Sequence, residues 1–311
     1  MRLFIIIGIC LLIICSSALL GTTSLQSLNE FIFWQLRFPR ILTAMLVGGT
    51  LGITGAAFQA LFGNPLATPS TTGTTAGASL GALAGMILLP PSWSMDGYAI
   101  VLTSFIGALC ISLPAAFLAR FSQIRLEDIL LSGIALTLAA GAISTGLQFQ
   151  ADMATTYRAV QWSLGSLAQV GYNATWGVLP FCLVSITGLL TQIRALEALI
   201  SGEEQAYAQG VPIHQTRMAV LIFGSIGVAA SVAWCGPIAF VGLVVPHIIR
   251  LSIGNVRRIL LPMSGIVGST FLVLCDGIAR SVFSGRELPV GVLTASIGAP
   301  ILIFLIVRRQ R

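Results

Sequence analysis

Runs of about twenty apolar residues, almost free of charge, recur along this chain, and that recurrence restricts it to a bundle of membrane-crossing helices. In hydrocarbon every backbone N–H and C=O must find its partner inside the segment, which a helix provides. The runs fall at 3–20, 41–61, 70–90, 98–119, 128–149, 174–193, 214–233, 237–252, 261–283 and 291–307, with the eighth the shortest. The expected fold is therefore an all-α membrane protein of about ten transmembrane helices. Charged residues make up 8% of the chain, against the roughly 25% that hydrates an ordinary soluble domain. No stretch is polar enough for a separate soluble domain, so 1–311 reads as a single transmembrane domain. The first run has one Arg before it and no small-residue cleavage pattern after it, and reads as a helix rather than a cleaved signal.

The basic residues say which way the bundle faces. All 16 are Arg. With ten spans and the N-terminus inside, the inner segments hold Arg2, Arg120, Arg125, Arg194, Arg217, Arg250, Arg257, Arg258, Arg308, Arg309 and Arg311. The outer segments hold Arg37, Arg40, Arg158, Arg280 and Arg286. Eleven against five places both termini in the cytoplasm. The net charge of +6 belongs to this bilayer asymmetry, and nucleic acid is not an expected partner. The absence of Lys excludes a phosphate-binding P-loop, whose Lys contacts the β/γ phosphates. Any ATP-driven step needs a separate polypeptide.

Cys10, Cys15, Cys110, Cys182, Cys235 and Cys275 lie in or beside apolar runs without a CxxC pair. His214 and His247 are far apart and lack a second ligand at metal spacing, so no metal site is expected.

Gly73, Gly77, Gly81 and Gly85 recur every four residues and place a bare strip on one face of the third run, where another helix can approach to backbone contact. Gly48, Gly52 and Gly55 do the same in the second. Between them, Gly63-Asn64-Pro65-Leu66-Ala67-Thr68-Pro69 reads as a turn at the inner face. The least apolar connection is 194–213. There Ser201 and Glu204 have capping-box spacing, Glu203 and Glu204 suit a helix N-terminus, and Gly210 suits a left-handed C-terminal cap. A short cytoplasmic helix of this kind serves equally as a docking element or as an ordinary interfacial loop.

Several strings, taken together, resemble the permease subunits of ABC importers for iron-siderophore, haem and vitamin B12. They are Arg37-Phe38-Pro39-Arg40; Gln59 with Gly63-Asn64-Pro65-Leu66-Ala67 and Pro69; Trp162 with Gly165-Ser166-Leu167; Gly202-Glu203-Glu204 with Gly210-Val211; Cys235-Gly236-Pro237 with Phe240-Val241-Gly242 and Pro246-His247; and Glu287-Leu288-Pro289 with Gly291, Thr294 and Gly298-Ala299-Pro300. The likeness spans about residues 34–309. It implies a dimer of two ten-span subunits, same or related, with the path along their interface. Two ATP-binding subunits below would carry ATP and Mg, and a periplasmic or lipid-anchored substrate-binding protein would deliver the cargo. No cofactor is expected in this chain, which would lie among membrane lipid in the bacterial inner membrane.

The resemblance also implies roles for residues. Arg37, Arg40 and Arg280 match positions that meet acidic groups of the binding protein; without it they would be headgroup anchors. Ser201, Gly202, Glu203, Glu204 and Gly210 match the coupling helices that enter a cleft on the ATPase. Asp276 and Arg280, four residues apart, suit a structural ion pair. The stretch Ser70-Thr71-Thr72-Gly73-Thr74-Thr75 is richer in Thr than the family pattern, and Thr74 and Thr75 could face a polar substrate or bond their own helix. The expected activity is ATP-driven import without an enzymatic site in this chain. A ferric siderophore is the first expectation for the cargo, with haem and cobalamin on the same scaffold. An ion-coupled secondary transporter would need paired intramembrane acids, and an intramembrane protease a nucleophile facing a base. Neither pattern is present.

Overall fold

In a computed structural model, the residues described are 2–17, 30–90, 97–121, 124–168, 171–282 and 287–309, and they contain helices and no strand. Arg286 and Arg311 lie outside them, as do residues 18–20 of the first expected span and 283 of the ninth.

The helices are α1 (Arg2–Ser17), α2 (Phe38–Leu61), α3 (Thr74–Leu88), α4 (Tyr98–Leu118), α5 (Leu126–Gln150), α6 (Met153–Ser163), α7 (Tyr172–Thr191), α8 (Ile193–Ala198), α9 (Glu203–Ala208), α10 (Ile213–Cys235), α11 (Val241–Ile253), α12 (Arg257–Ala279) and α13 (Val290–Arg309). A π-helical turn, Ile32–Arg37, runs without a break into α2, whose second residue is Pro39. Six helical stretches are long and apolar enough to cross a membrane: Ile32–Leu61, α4, α5, α7, α10 and α12. Four shorter apolar stretches accompany them: Leu3–Ser17, α3, α11 and Val290–Phe304.

The central helix is α2. Of its most apolar stretch 83% is buried, against 17% for α5, which turns most of its side chains outward. Glycine explains how α2 becomes so enclosed. A Cβ on Gly48 or Gly52 would overlap the Gly268 and Ser264 carbonyls of α12, and one on Gly55 would overlap Gly242 of α11. Likewise Gly77 and Gly81 of α3 meet the backbone of α4 at Gly107 and Thr103, and Gly85 meets the Thr103 side chain. In lipid, where apolar side chains gain nothing by leaving the solvent, this close approach is what holds helices together.

One member of the expected strip behaves differently. Gly73 has φ +82 and ends a 3₁₀ turn, Pro69–Thr72, so α3 starts at Thr74 rather than at 70. The Pro65 and Pro69 turn delays the helix by four residues, and Gly73 supplies the left-handed link that an L side chain would strain. Its Cβ would still meet Ile111 of α4, so it continues the packing seam from outside the helix.

Candidate functional sites at the two ends of the bundle

Hydrogen bonds orient the bundle. Thr43 Oγ1 of α2 lies 2.8 Å from Thr175 Oγ1 near the start of α7, and the Tyr172 hydroxyl donates to the Trp34 carbonyl at 2.9 Å. At the far end, the Arg257 N–H opening α12 donates to Glu197 of α8 at 2.8 Å. The start of α2, the start of α7 and the end of α12 thus share one end, and α8 and α9 lie at the other.

The first end holds a buried charge cluster. Two nitrogens of Arg40 converge on Asp276 Oδ1, Nε at 2.8 Å and Nη2 at 2.7 Å, while Nη1 reaches Glu287 Oε2 at 2.7 Å. Arg280 Nε approaches Asp276 Oδ2 at 3.1 Å. Arg37, Arg40 and Arg280 are each less than 9% exposed, and only Glu287 of this group is well solvated. Sequence spacing paired Asp276 with Arg280 one turn away. It missed Arg40, 236 residues distant, for which no local signal exists. The Arg40 guanidinium is thus engaged by two carboxylates, the buried Asp276 and the well-solvated Glu287.

Beside this cluster, motifs far apart in the chain meet through their backbones. The Ser166 N–H donates to the Cys235 carbonyl at 2.7 Å, and the Gly291 N–H to the Gly165 carbonyl at 3.2 Å. A Cβ at Gly165 would strike the Pro237 carbonyl, and one at Gly236 the Trp162 carbonyl. This junction borders a cavity of about 520 Å³ that also takes in Met86, Arg158 and Gln161. Phe240, just beyond it, has φ +68, the one non-glycine residue in the left-handed region among those described. The backbone break explains why α11 begins at Val241 rather than at 237.

The second end carries α9. Glu203 and Glu204 occupy its first turn, and Glu203 forms an ion pair with Arg217, which is 5% exposed. Gly210, at φ +77, ends the helix in a left-handed turn in which the Val211 N–H reaches back to the Ala206 carbonyl at 3.0 Å. The expected capping box is absent. Ser201 closes the 3₁₀ turn Leu199–Ser201, and Gly202, at φ +106, is the N-terminal cap without a side-chain bond. The S-x-x-E spacing is right, but the preceding turn carries Ser201 one position too early. Glu204 remains exposed.

The Thr-rich turn uses its hydroxyls mainly on itself. Thr72 Oγ1 donates to the Pro69 carbonyl at 2.8 Å, Thr74 Oγ1 lies 3.3 Å from it, and Thr75 Oγ1 lies 3.1 Å from Ser70 Oγ. Thr74 is fully buried. Thr75 borders a cavity of about 200 Å³ together with Ser70, Val232 and Phe240. No group of three His, Cys, Asp or Glu able to hold a metal occurs among the described residues.

A multi-pass helical bundle with a buried arginine–carboxylate cluster at one end and a short acidic helix on the other is the architecture of a membrane permease. The chain belongs to the FecCD transport family of ABC-importer permeases, whose family model matches residues 3–308. It is 36% identical over 288 residues to the vitamin B12 import system permease protein BtuC of Vibrio cholerae, covering 92% of this chain and 85% of that protein. It is also 36% identical over 300 residues to the hemin transport system permease protein HmuU of Yersinia pestis, covering 94% and 87%. Among solved structures, it matches a chain assigned to a metal-chelate type ABC transporter in an inward-facing conformation. The TM-score is 0.88 at 30% identity, with 98% and 99% of the two chains covered.

Proposed function

We propose that the chain is the inner-membrane permease of a binding-protein-dependent importer for a large metal chelate, driven by ATP on separate subunits. The polarity of the bundle is the observation that carries this reading: a pre-organised arginine cluster at one end and the acidic helix α9 at the other. The six long and four short apolar helical stretches match the ten expected spans in number, and the arginine asymmetry supports both termini and α9 being cytoplasmic.

Arg37, Arg40 and Arg280 outnumber Asp276 and Glu287, so this cluster carries a local positive excess toward acidic groups of a delivery protein. Ser201, Gly202, Glu203, Glu204 and Gly210 form the contact with the ATPase, which carries ATP and Mg. A second permease copy or a related chain completes the path. Movement of α9 would tilt the bundle as a rigid body and alternate access.

The named relatives import cobalamin and haem, which favours a tetrapyrrole or corrinoid cargo over the ferric siderophore first expected. An ion-coupled secondary mechanism gains no support, because Asp276 is held by two arginines and is not free to relay protons. The discriminating experiment is an ATPase assay on the purified chain and on the chain with its ATP-binding subunit. Hydrolysis is expected only in the second, and hydrolysis by the chain alone would overturn the reading.

A further inference from the structure

At the end of the bundle that carries α8 and α9, two exposed arginines border one cavity. Arg194 belongs to α8 and Arg258 is the second residue of α12. Among the described residues neither forms an ion pair or a hydrogen bond. The cavity measures about 450 Å³, and the rest of its wall is Leu190, Thr191 and Ile193, so no carboxylate lines it. Glu197, three residues on in α8, is engaged elsewhere: its Oε2 accepts from the Arg257 N–H at 2.8 Å, and its charge bears on the Arg257 guanidinium. Arg258 also sits in the first turn of α12, where the helix dipole is positive and disfavours a cation. Positive charge therefore accumulates at this cleft, and the guanidinium fork is shaped for phosphate oxygens.

The place of the cleft in the fold selects the source of that phosphate. Helix α7 ends at Thr191 and α12 starts at Arg257, and both are long and apolar enough to cross a membrane, so the cleft lies where two spans reach the interface. Thr187, Val184 and Leu183 follow two and three turns behind Arg194 on one exposed face of α7. Along α12, Ile259 and Ile266 are exposed two turns apart. A cationic cleft continuous with two bare apolar faces fits an amphiphile with a phosphate head and acyl chains, and basic clefts between spans hold such headgroups.

We propose that Arg194 and Arg258 bind the phosphate of an anionic phospholipid from the leaflet on the α9 side, with its acyl chains lying along α7 and α12. The site uses residues outside the outer arginine cluster and outside α9, and it does not depend on the identity of the cargo.

The test uses the full chain in maltoside micelles doped with equal amounts of phosphatidylglycerol and phosphatidylcholine of identical chains, and native mass spectrometry counts the lipids retained. The parent is expected to retain phosphatidylglycerol preferentially. A basic residue near an anionic surface contributes about fivefold, so Arg194→Gln or Arg258→Gln should each lower the preference by about that factor, and the double variant should retain both lipids alike. Arg120→Gln, which removes an exposed arginine outside the cleft, is expected to keep the preference. Because these side chains are exposed, all variants should unfold at the parent's midpoint, which separates lost binding from lost fold. The proposal is overturned if the parent retains both lipids alike, or if Arg120→Gln lowers the preference as much as Arg194→Gln. It is overturned equally if ammonium phosphate displaces the lipid where ammonium acetate of equal ionic strength does not, which would make the cleft a free-anion site. A double variant that keeps the preference but no longer binds the ATP-binding subunit would assign the arginines to that interface instead.

Discussion

Arg40 and Asp276, 236 residues apart, form a buried ion pair in which two guanidinium nitrogens lie within 2.8 Å of one carboxylate oxygen. The pair ties the start of α2 to the end of α12, and Arg280 and Glu287 satisfy the remaining charge. Asp276→Asn would leave two buried guanidinium groups facing each other with only Glu287 to offset them. Removing one member of a buried pair costs about 3–5 kcal/mol. Chemical denaturation of the purified subunit should show a loss of that size, and an unchanged midpoint would mean that the pair is dispensable.

Glycine contacts give a second prediction with its own control. Gly55→Ala drives a methyl group into the Gly242 carbonyl of α11 and should destabilise the bundle by about 1–3 kcal/mol. Gly146 of α5 has no atom within 4 Å of its prospective Cβ, so Gly146→Ala should be neutral or stabilise by up to about 1 kcal/mol. Equal effects in an unfolding assay would contradict the packing described.

At α9 the two acids should separate in behaviour. Glu203 is engaged with Arg217, so Glu203→Gln is expected to lower stability by exposing an uncompensated cation. Glu204 is exposed, and Glu204→Arg should leave stability intact while weakening association with the ATP-binding subunit on the order of tenfold, about 1.4 kcal/mol. Co-purification and ATP-coupled uptake read the difference. Normal coupling in Glu204→Arg would make α9 a passive loop.

Arg37→Glu addresses the delivery side. Reversing one charge of the outer cluster should slow association of the binding protein on the order of tenfold at low salt, with the gap closing as salt screens it. Stopped-flow association at two ionic strengths measures this, and identical rates would remove Arg37 from the docking surface.

Much of the fold was legible because it depends on local pattern. Apolar runs located the apolar helices to within a few residues, since length and hydropathy are properties of each segment alone, but gave no sign of the more polar α6. Gly77, Gly81 and Gly85 announced a packing face because four-residue spacing is intrinsically helical. Three features were not legible for the same reason. Gly73 leaves the strip because the Pro65–Pro69 turn upstream decides where α3 begins. Ser201 fails as a cap because a 3₁₀ turn shifts its register. Arg40 finds Asp276 only after the helices have packed. The convergence of Gly165, Gly236 and Gly291 is of this kind too: each motif could be read singly, but only the fold shows that they are one junction.

Reconstituted uptake would show whether this chain conducts a metal chelate inward on energy supplied by a separate ATPase. Proteoliposomes carrying the permease and its ATP-binding subunit would be given ATP on the α9 side and the binding protein on the other. Cyanocobalamin, hemin and a ferric siderophore would be offered in turn, each bound to that protein. One of these is expected to accumulate on the α9 side only with hydrolysable ATP. Accumulation driven by a proton or sodium gradient in the absence of ATP would contradict it.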